Sequence, residues 1–159
     1  LPKAYVGRMA AEKAQKVWEE VGQKDVCVLA ADTIVALGRR IFQKAQSLEE
    51  ARAQITAFSG SGHPVYTGLC AITQGHDGTL LKRLRVVFTH VAVKHLHTRE
   101  IEAFLKSREW EGVACYRLQG YFGAFVRQLN GQPSTILGLP LFEASQVLQG
   151  LGVANINVS

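Results

Sequence analysis

The chain has 159 residues, 47% of them hydrophobic and 19% charged, with a net charge of +5. That length builds one domain with a substantial core and leaves no room for a second of comfortable size. No apolar run approaches the roughly 20 residues of a membrane span, and no like-charge block longer than Lys82-Arg83-Leu84-Arg85 occurs, which excludes a polybasic tail. The mild excess of positive charge suits an anionic partner such as a nucleotide, and equally a merely basic surface.

Residues 2 to 22 read as an amphipathic helix: Pro2 suits a first turn, Val6, Ala10, Lys13/Ala14, Val17 and Val21 recur at helical spacing, and Gly22 offers a stop. The start at Leu1-Pro2-Lys3, without Met and almost directly on this helix, leads us to expect a preceding N-terminal piece. Residues 26 to 31 read as a buried strand, and 34 to 37 continue extended into a turn at Gly38-Arg39-Arg40. Ser47-Leu48-Glu49-Glu50 reads as a capping box, each of Ser47 and Glu50 satisfying the other's backbone donor. It opens a helix with Leu48, Ala51, Ile55 and Phe58 on its apolar face, ended by Ser59-Gly60-Ser61-Gly62.

From His63 to Thr73 the pattern is strand-like. It breaks at Gly75-His76-Asp77-Gly78 and resumes from about 80 to 93 as the second arm of an antiparallel hairpin. A helix is expected over about 98 to 106, extended pieces near 113 to 119 and 123 to 129, a turn at Asn130-Gly131, and a last helix from Leu139-Pro140 to about Gly150. Helices interspersed with hairpins define an α/β class with a mixed sheet flanked by helices. Neither repeats nor linkers interrupt the chain, so residues 1–159 form a single domain.

The most informative segment is Val28-Leu29-Ala30-Ala31-Asp32-Thr33-Ile34-Val35. A carboxylate in a buried strand must be paired, hydrogen-bonded or holding a cation. Asp32 is therefore either a ligand for a divalent cation or a base for water, in which hard oxygens suit Mg²⁺ or Mn²⁺, or a strand-end residue capping the next turn. Lys44 is able to reach a phosphate as a point charge, or is simply solvated. Ser59-Gly60-Ser61-Gly62-His63 combines glycines and backbone donors that suit an anion with a histidine that serves either as a base or as a structural residue. His76, His90, His95 and His97 have no ligand spacing that compels a metal site. Gln119, beside Gly120, offers an acceptor and two donors for the edge of a nucleobase, or bonds to a loop backbone. Leu137-Gly138-Leu139-Pro140 places amide donors at a helix start, with packing as the alternative.

Cys27, Cys70 and Cys115 are widely spaced, with no C-x-x-C pair. This argues against a disulfide framework or zinc site and for a reducing cytoplasm. Cys115 lacks an activating His–Asp pair, so it is a poor nucleophile candidate.

In order and spacing, these segments resemble the Maf family of nucleoside triphosphate pyrophosphatases. The resemblance is carried by Tyr5-Val6 with Ala10 and Lys13-Ala14, by Ala30-Ala31-Asp32-Thr33, by Lys44, and by Ser59-Gly60 with His63-x-Val65-Tyr66-Thr67-Gly68. Glu100-Ile101, Tyr116-x-x-Gln119-Gly120 and Gly138-Leu139-Pro140 complete it. It implies a two-lobed single domain similar to inosine triphosphate pyrophosphatases, with nucleotide in the cleft between lobes. It also implies hydrolysis of a nucleoside triphosphate to monophosphate and pyrophosphate with a divalent metal. Carried over by position, Asp32 is the general base and a metal ligand, and Thr33 and Gln119 bear on base selectivity. Lys44 meets phosphate, Lys13 matches a family lysine of open role, and Ser59 and His63 contribute to substrate binding. Gln119 in its Leu-Gln-Gly context resembles the branch acting on dTTP and UTP, rather than the 7-methyl-GTP branch, which carries Glu there.

The departures are specific. The family's initial strand, its Ser-x-Ser-x-x-Arg phosphate loop and the acidic residue after it have no counterpart in these residues. Ala45 replaces a proline, His97 stands where a helix-capping Ser is common, and Ala114-Cys115-Tyr116 is one residue shorter than Ala-Gly-x-Tyr. The leading expectation is a pyrophosphatase that removes surplus or modified pyrimidine nucleotides. The alternative is a catalytically inactive nucleotide-binding or cell-division regulatory module on the same scaffold. A basic nucleic-acid-binding domain is disfavoured, because no aromatic-basic strand pattern or recognition helix occurs. A membrane partner is not expected, and a homodimer is left open.

Overall fold

The computed structural model describes residues 1–21 and 25–153. The long first helix forms as expected, α1 over Pro2–Val21, with Val6, Ala10 and Ala14 fully buried along one stripe; its proposed stop at Gly22 lies outside the described residues. The two expected strand pieces fuse into one strand, β1 (Cys27–Leu37), since Asp32 and Thr33 are tolerated within it. A turn at Gly38, with φ +60, leads to the short β2 (Arg40–Phe42).

Helix α2 (Leu48–Phe58) is capped by Ser47, whose hydroxyl accepts from the Glu50 amide at 3.1 Å. The reciprocal bond is displaced by one residue, because the Glu50 carboxylate accepts from the Gln46 amide at 2.7 Å. Leu48, expected on the apolar face, is about half exposed, and Gln54 takes the buried position instead, its amide donating to the Gln43 carbonyl.

The hairpin β3 (Gly62–Gln74) and β4 (Leu80–Val93) follows, then α3 (Thr98–Ser107). At its start the Glu100 carboxylate accepts from the His97 amide and is paired with Lys94 at 2.5 Å. Residues 113 to 119 are not the extended piece expected: they form an irregular loop in which Cys115 adopts φ 73. A 3-10 turn (Tyr121–Phe125) carries Phe122 and Phe125 into the core before β5 (Val126–Asn130). A short helix α4 (Pro133–Ile136), not expected from the sequence, precedes α5 (Leu141–Gly150).

The sheet order is β2-β1-β3-β4-β5. The α/β class stands, but among the described residues every strand pairing is antiparallel, where a mixed sheet was expected. The reason is connectivity: β1–β2 and β3–β4 are hairpins, and the single helix between β2 and β3 returns the chain antiparallel to β1.

Alternation along β1 and β3 divides the core. Val28, Ala30, Cys70 and Ile72 face α1. On the opposite face, Val35 and Val65 join α2, α3 and the Phe122 region in the largest cluster, while Leu69 and Ala71 pack against α5. Helix α1 lies so close to the sheet that a Cβ on Gly68 would meet the Val6 carbonyl oxygen at 2.5 Å, which is why that position carries no side chain.

Candidate functional site

On the face opposite α1, the two apolar clusters do not meet. Between them β1 and β3 present Thr33 and Thr67, which are directly opposed in register, and a cavity of about 310 Å³ opens there. Its walls are β1 and β3, the irregular loop 113–119, and the segment that follows α4. Thr33, Gln119, Arg117, Leu118, Leu137 and Gly138 all line it. Two of the expected base-selective positions, Thr33 and Gln119, are thus brought from 86 residues apart in sequence into one concavity.

The polar floor of the cavity is a short relay. Thr67 is fully buried and donates its hydroxyl to the Thr135 carbonyl at 2.6 Å. Its oxygen lies 2.7 Å from the Thr33 hydroxyl. Gly138, at φ +100, closes over this point; a Cβ there would stand 3.7 Å from Thr33 Oγ1, in a backbone region that disfavours any other residue. Arg117, which sequence reading passes over, brings a permanent positive charge to the rim. Its two-residue offset from Gln119 is the one signal that could have found it.

Asp32 points the other way. One residue before Thr33, it lies on the α1 face, where its carboxylate is ion-paired with Lys13. The Asp32 side chain is 18% exposed and that of Lys13 53%. The Asp32 carboxylate is thus accommodated in its apolar strand by a partner as well as by partial solvent access. Lys13 and Asp32 form one pair, while Thr33 and Gln119 form another group across the strand. Among the described residues, no group of three or more His, Cys, Asp or Glu is placed to hold a metal ion.

The remaining expected residues fall elsewhere. Lys44 is exposed and lines a separate concavity with Arg40, Gln43 and Glu50. Ser59 and His63, expected to contribute to substrate binding, do not line this cavity. The Ser59 hydroxyl accepts from the Leu96 amide at 2.7 Å and ties the end of α2 to the start of the α3 region. His63 is fully buried, with Nε2 at 2.6 Å from the Tyr116 hydroxyl and its ring 4.3 Å from that of Phe58. Burial, and then the charge of His90, hold its pKa down at about 4, so the ring is neutral at pH 7. Glycine-rich neighbours suggested an anion loop because the sequence does not show that His63 and Tyr116 close over each other. Burial raises the thiol pKa of Cys27, Cys70 and Cys115, the last to about 12, so none is a ready nucleophile.

An α/β domain with a polar-floored cavity of this volume, beside a strand carrying a half-sheltered carboxylate, defines a candidate small-molecule site. The particular family is given by sequence comparison: the model of the Maf-like protein family matches residues 1–151, and the chain belongs to that family. It is 45% identical over 144 residues to the dTTP/UTP pyrophosphatase of Agrobacterium fabrum, a match covering 90% of this chain and 65% of the relative. The dTTP/UTP pyrophosphatase of Mesorhizobium japonicum is 44% identical over 156 residues, covering 95% of this chain and 73% of the relative. The Wolbachia protein of the same name is 43% identical over 145 residues, covering 90% and 70%. The chain therefore spans about two thirds to three quarters of the length of these relatives.

Proposed function

We propose that the protein hydrolyses dTTP and UTP to the nucleoside monophosphate and pyrophosphate. The observation that carries this reading is the shared cavity of Thr33 and Gln119, lying one residue along β1 from Asp32. Its volume suits a pyrimidine ring and part of its sugar, and its apolar walls, Leu118 and Leu137 among them, suit a flat base. The names of the relatives supply the substrate class.

In this reading the base enters the cavity on the Thr33 face, and the phosphates extend past the flank of β1. β2 pairs only with Val35 to Leu37, so the stretch before Val35 is not covered by β2 on that side. Asp32 acts as the general base: it takes the proton of a water whose oxygen bonds to the α-phosphorus, while the α–β bridging bond breaks and pyrophosphate leaves. Lys13 orients that carboxylate in the resting protein. Arg117 at the cavity rim and the exposed Lys44 add to the positive potential that draws a polyanion to this part of the surface.

The single carboxylate suits Mg²⁺ or Mn²⁺ brought in with the nucleotide, since Mg²⁺ is commonly held by one or two carboxylates together with substrate phosphates. Such a cation would neutralise phosphate charge at Asp32. A cytoplasmic setting is supported by three free thiols.

The test is pyrophosphate release from dTTP and UTP with added Mg²⁺ or Mn²⁺, in the protein and in Asp32→Asn. The reading expects turnover that the substitution lowers at least about a hundredfold while nucleotide binding persists. Equal turnover in the two proteins removes Asp32 from the chemistry. Stoichiometric binding without any hydrolysis supports the regulatory alternative.

A further inference from the structure

We propose that Thr67 is a positioning residue that locks the Thr33 hydroxyl as a hydrogen-bond acceptor, so that the cavity selects pyrimidines carrying a proton on ring N3. This rests on the reading that the cavity takes the base of a nucleotide.

A threonine hydroxyl has one proton and two lone pairs, and a carbonyl oxygen only accepts. The bond from Thr67 Oγ1 to the Thr135 carbonyl therefore uses the proton of Thr67. At 2.7 Å from Thr33 Oγ1, Thr67 has only a lone pair to offer, so Thr33 is the donor of that second bond. Its proton is consumed inward, and what remains facing the cavity is lone pair.

The polarity is held from several sides. Thr67 is fully buried, so no water competes for its proton. It is β-branched, which stiffens its first side-chain torsion, and it sits directly opposite Thr33 in the β1–β3 ladder. The Thr135 carbonyl is itself fixed at the end of α4, where it also accepts from the Gly138 amide at 3.3 Å.

Gln119 cannot impose such a polarity. Its amide offers an acceptor and donors and exchanges them by rotating half a turn, so it matches either the carbonyl or the amino group that distinguishes uracil from cytosine at position 4. Thr33 cannot turn over without breaking the relay. Uracil and thymine present N3–H, which an acceptor takes; cytosine presents a lone pair at N3, and two lone pairs left facing one another in a sheltered site are unfavourable. A site built around a ligand N–H rejects the analogue that lacks it far more strongly than an apolar pocket rejects a methylene. Discrimination between UTP and CTP thus resides in a buried residue that never touches the nucleotide.

The experiment measures kcat/KM for UTP and CTP, and in parallel the affinities for UMP and CMP by calorimetry, in the wild-type protein, Thr67→Val and Thr67→Ser. Valine keeps the shape and removes the hydroxyl, freeing the Thr33 proton to turn into the cavity. The UTP:CTP ratio is expected to fall by about tenfold or more, mainly through a gain for CTP, and Thr67→Ser is expected to restore it. A general loss of activity with an unchanged ratio is what a merely structural Thr67 would give. Thr33→Val provides a second reading should Thr67→Val not fold: the ratio then collapses through a loss for UTP alone. A wild-type protein that prefers uracil but whose ratio is unmoved by folded Thr67→Val, or by Thr33→Val, overturns the relay and leaves the proposed function intact. A wild-type protein that neither hydrolyses UTP and CTP nor binds UMP and CMP overturns both.

Discussion

Acidification from pH 7 to pH 5 should remove about 2 kcal/mol of folding stability through His63 alone. The ring is fully buried and its pKa sits at about 4, against an ordinary 6.5, first because burial penalises the charged form and second because His90 repels it. The sign follows from which state binds the proton. Above pH 6.5 the ring is neutral in both folded and unfolded chains, and it contributes no pH dependence. Between 6.5 and 4 the unfolded chain takes up a proton that the folded one refuses, so stability falls with falling pH by up to about 1.4 kcal/mol per unit. At pH 5 the interval crossed is about 1.5 units, which gives the 2 kcal/mol stated. Urea unfolding of the wild type and of His63→Gln at pH 7 and pH 5 isolates the effect. Glutamine is able to keep a hydrogen bond to the Tyr116 hydroxyl and cannot titrate. The loss between the two pH values should be about 2 kcal/mol smaller in His63→Gln. Equal losses in the two proteins would refute the assignment, because the destabilisation would then come from other groups.

Three further perturbations probe the scaffold that holds the site. Gly68→Ala brings a methyl group against the Val6 carbonyl of α1, backbone that cannot step aside without moving the helix; it should cost about 2 kcal/mol or more in urea unfolding. Because α1 carries Lys13, the same variant should also lower UTP turnover, and a neutral result on both counts would show that α1 is not seated as described. Tyr116→Phe leaves the buried His63 Nε2 without its partner and should cost about 1–3 kcal/mol at pH 7, read from the same unfolding curves. Ser47→Ala removes the hydroxyl that caps α2 and should cost about 1 kcal/mol without altering the UTP:CTP ratio, since no residue of α2 lines the cavity.

Much of the architecture is legible in the sequence, and the reasons are local. Helix α1 carries its apolar stripe at helical spacing, β4 is bounded by the glycine turn at 75–78, and α3 begins where Glu100 reaches back to the His97 amide. The loop 113–119 reads as a strand because Val113 to Tyr116 form a short apolar run, yet Cys115 and Tyr116 pack with α2 and α3 instead of pairing with a neighbour strand, a tertiary effect invisible to local pattern. Helix α4 is a single turn, too short to leave a periodic trace.

The site divides in the same manner. That Asp32 needs a partner follows from its apolar surroundings, and Lys13 supplies one. That Asp32 and Thr33 face opposite sides follows from strand alternation once both belong to β1. Thr67 belongs to the His63-x-Val65-Tyr66-Thr67-Gly68 motif, but nothing in the sequence shows its role, which arises from lying across from Thr33 and beneath the Thr135 carbonyl. The surroundings of His63 are hidden for a similar reason, since a glycine-rich run does not show that Tyr116 and Phe58 cover the ring.

The central claim is that the concavity of Thr33 and Gln119 receives a pyrimidine whose phosphates reach toward Asp32. It is tested most directly by the structure of the protein soaked with a non-hydrolysable UTP analogue. The account predicts electron density for the uracil ring between Leu118 and Leu137, with N3 within about 3 Å of Thr33 Oγ1 and the α-phosphate on the Asp32 side of β1. A nucleotide bound elsewhere, or a ring in this cavity with its phosphates directed away from β1, would contradict it.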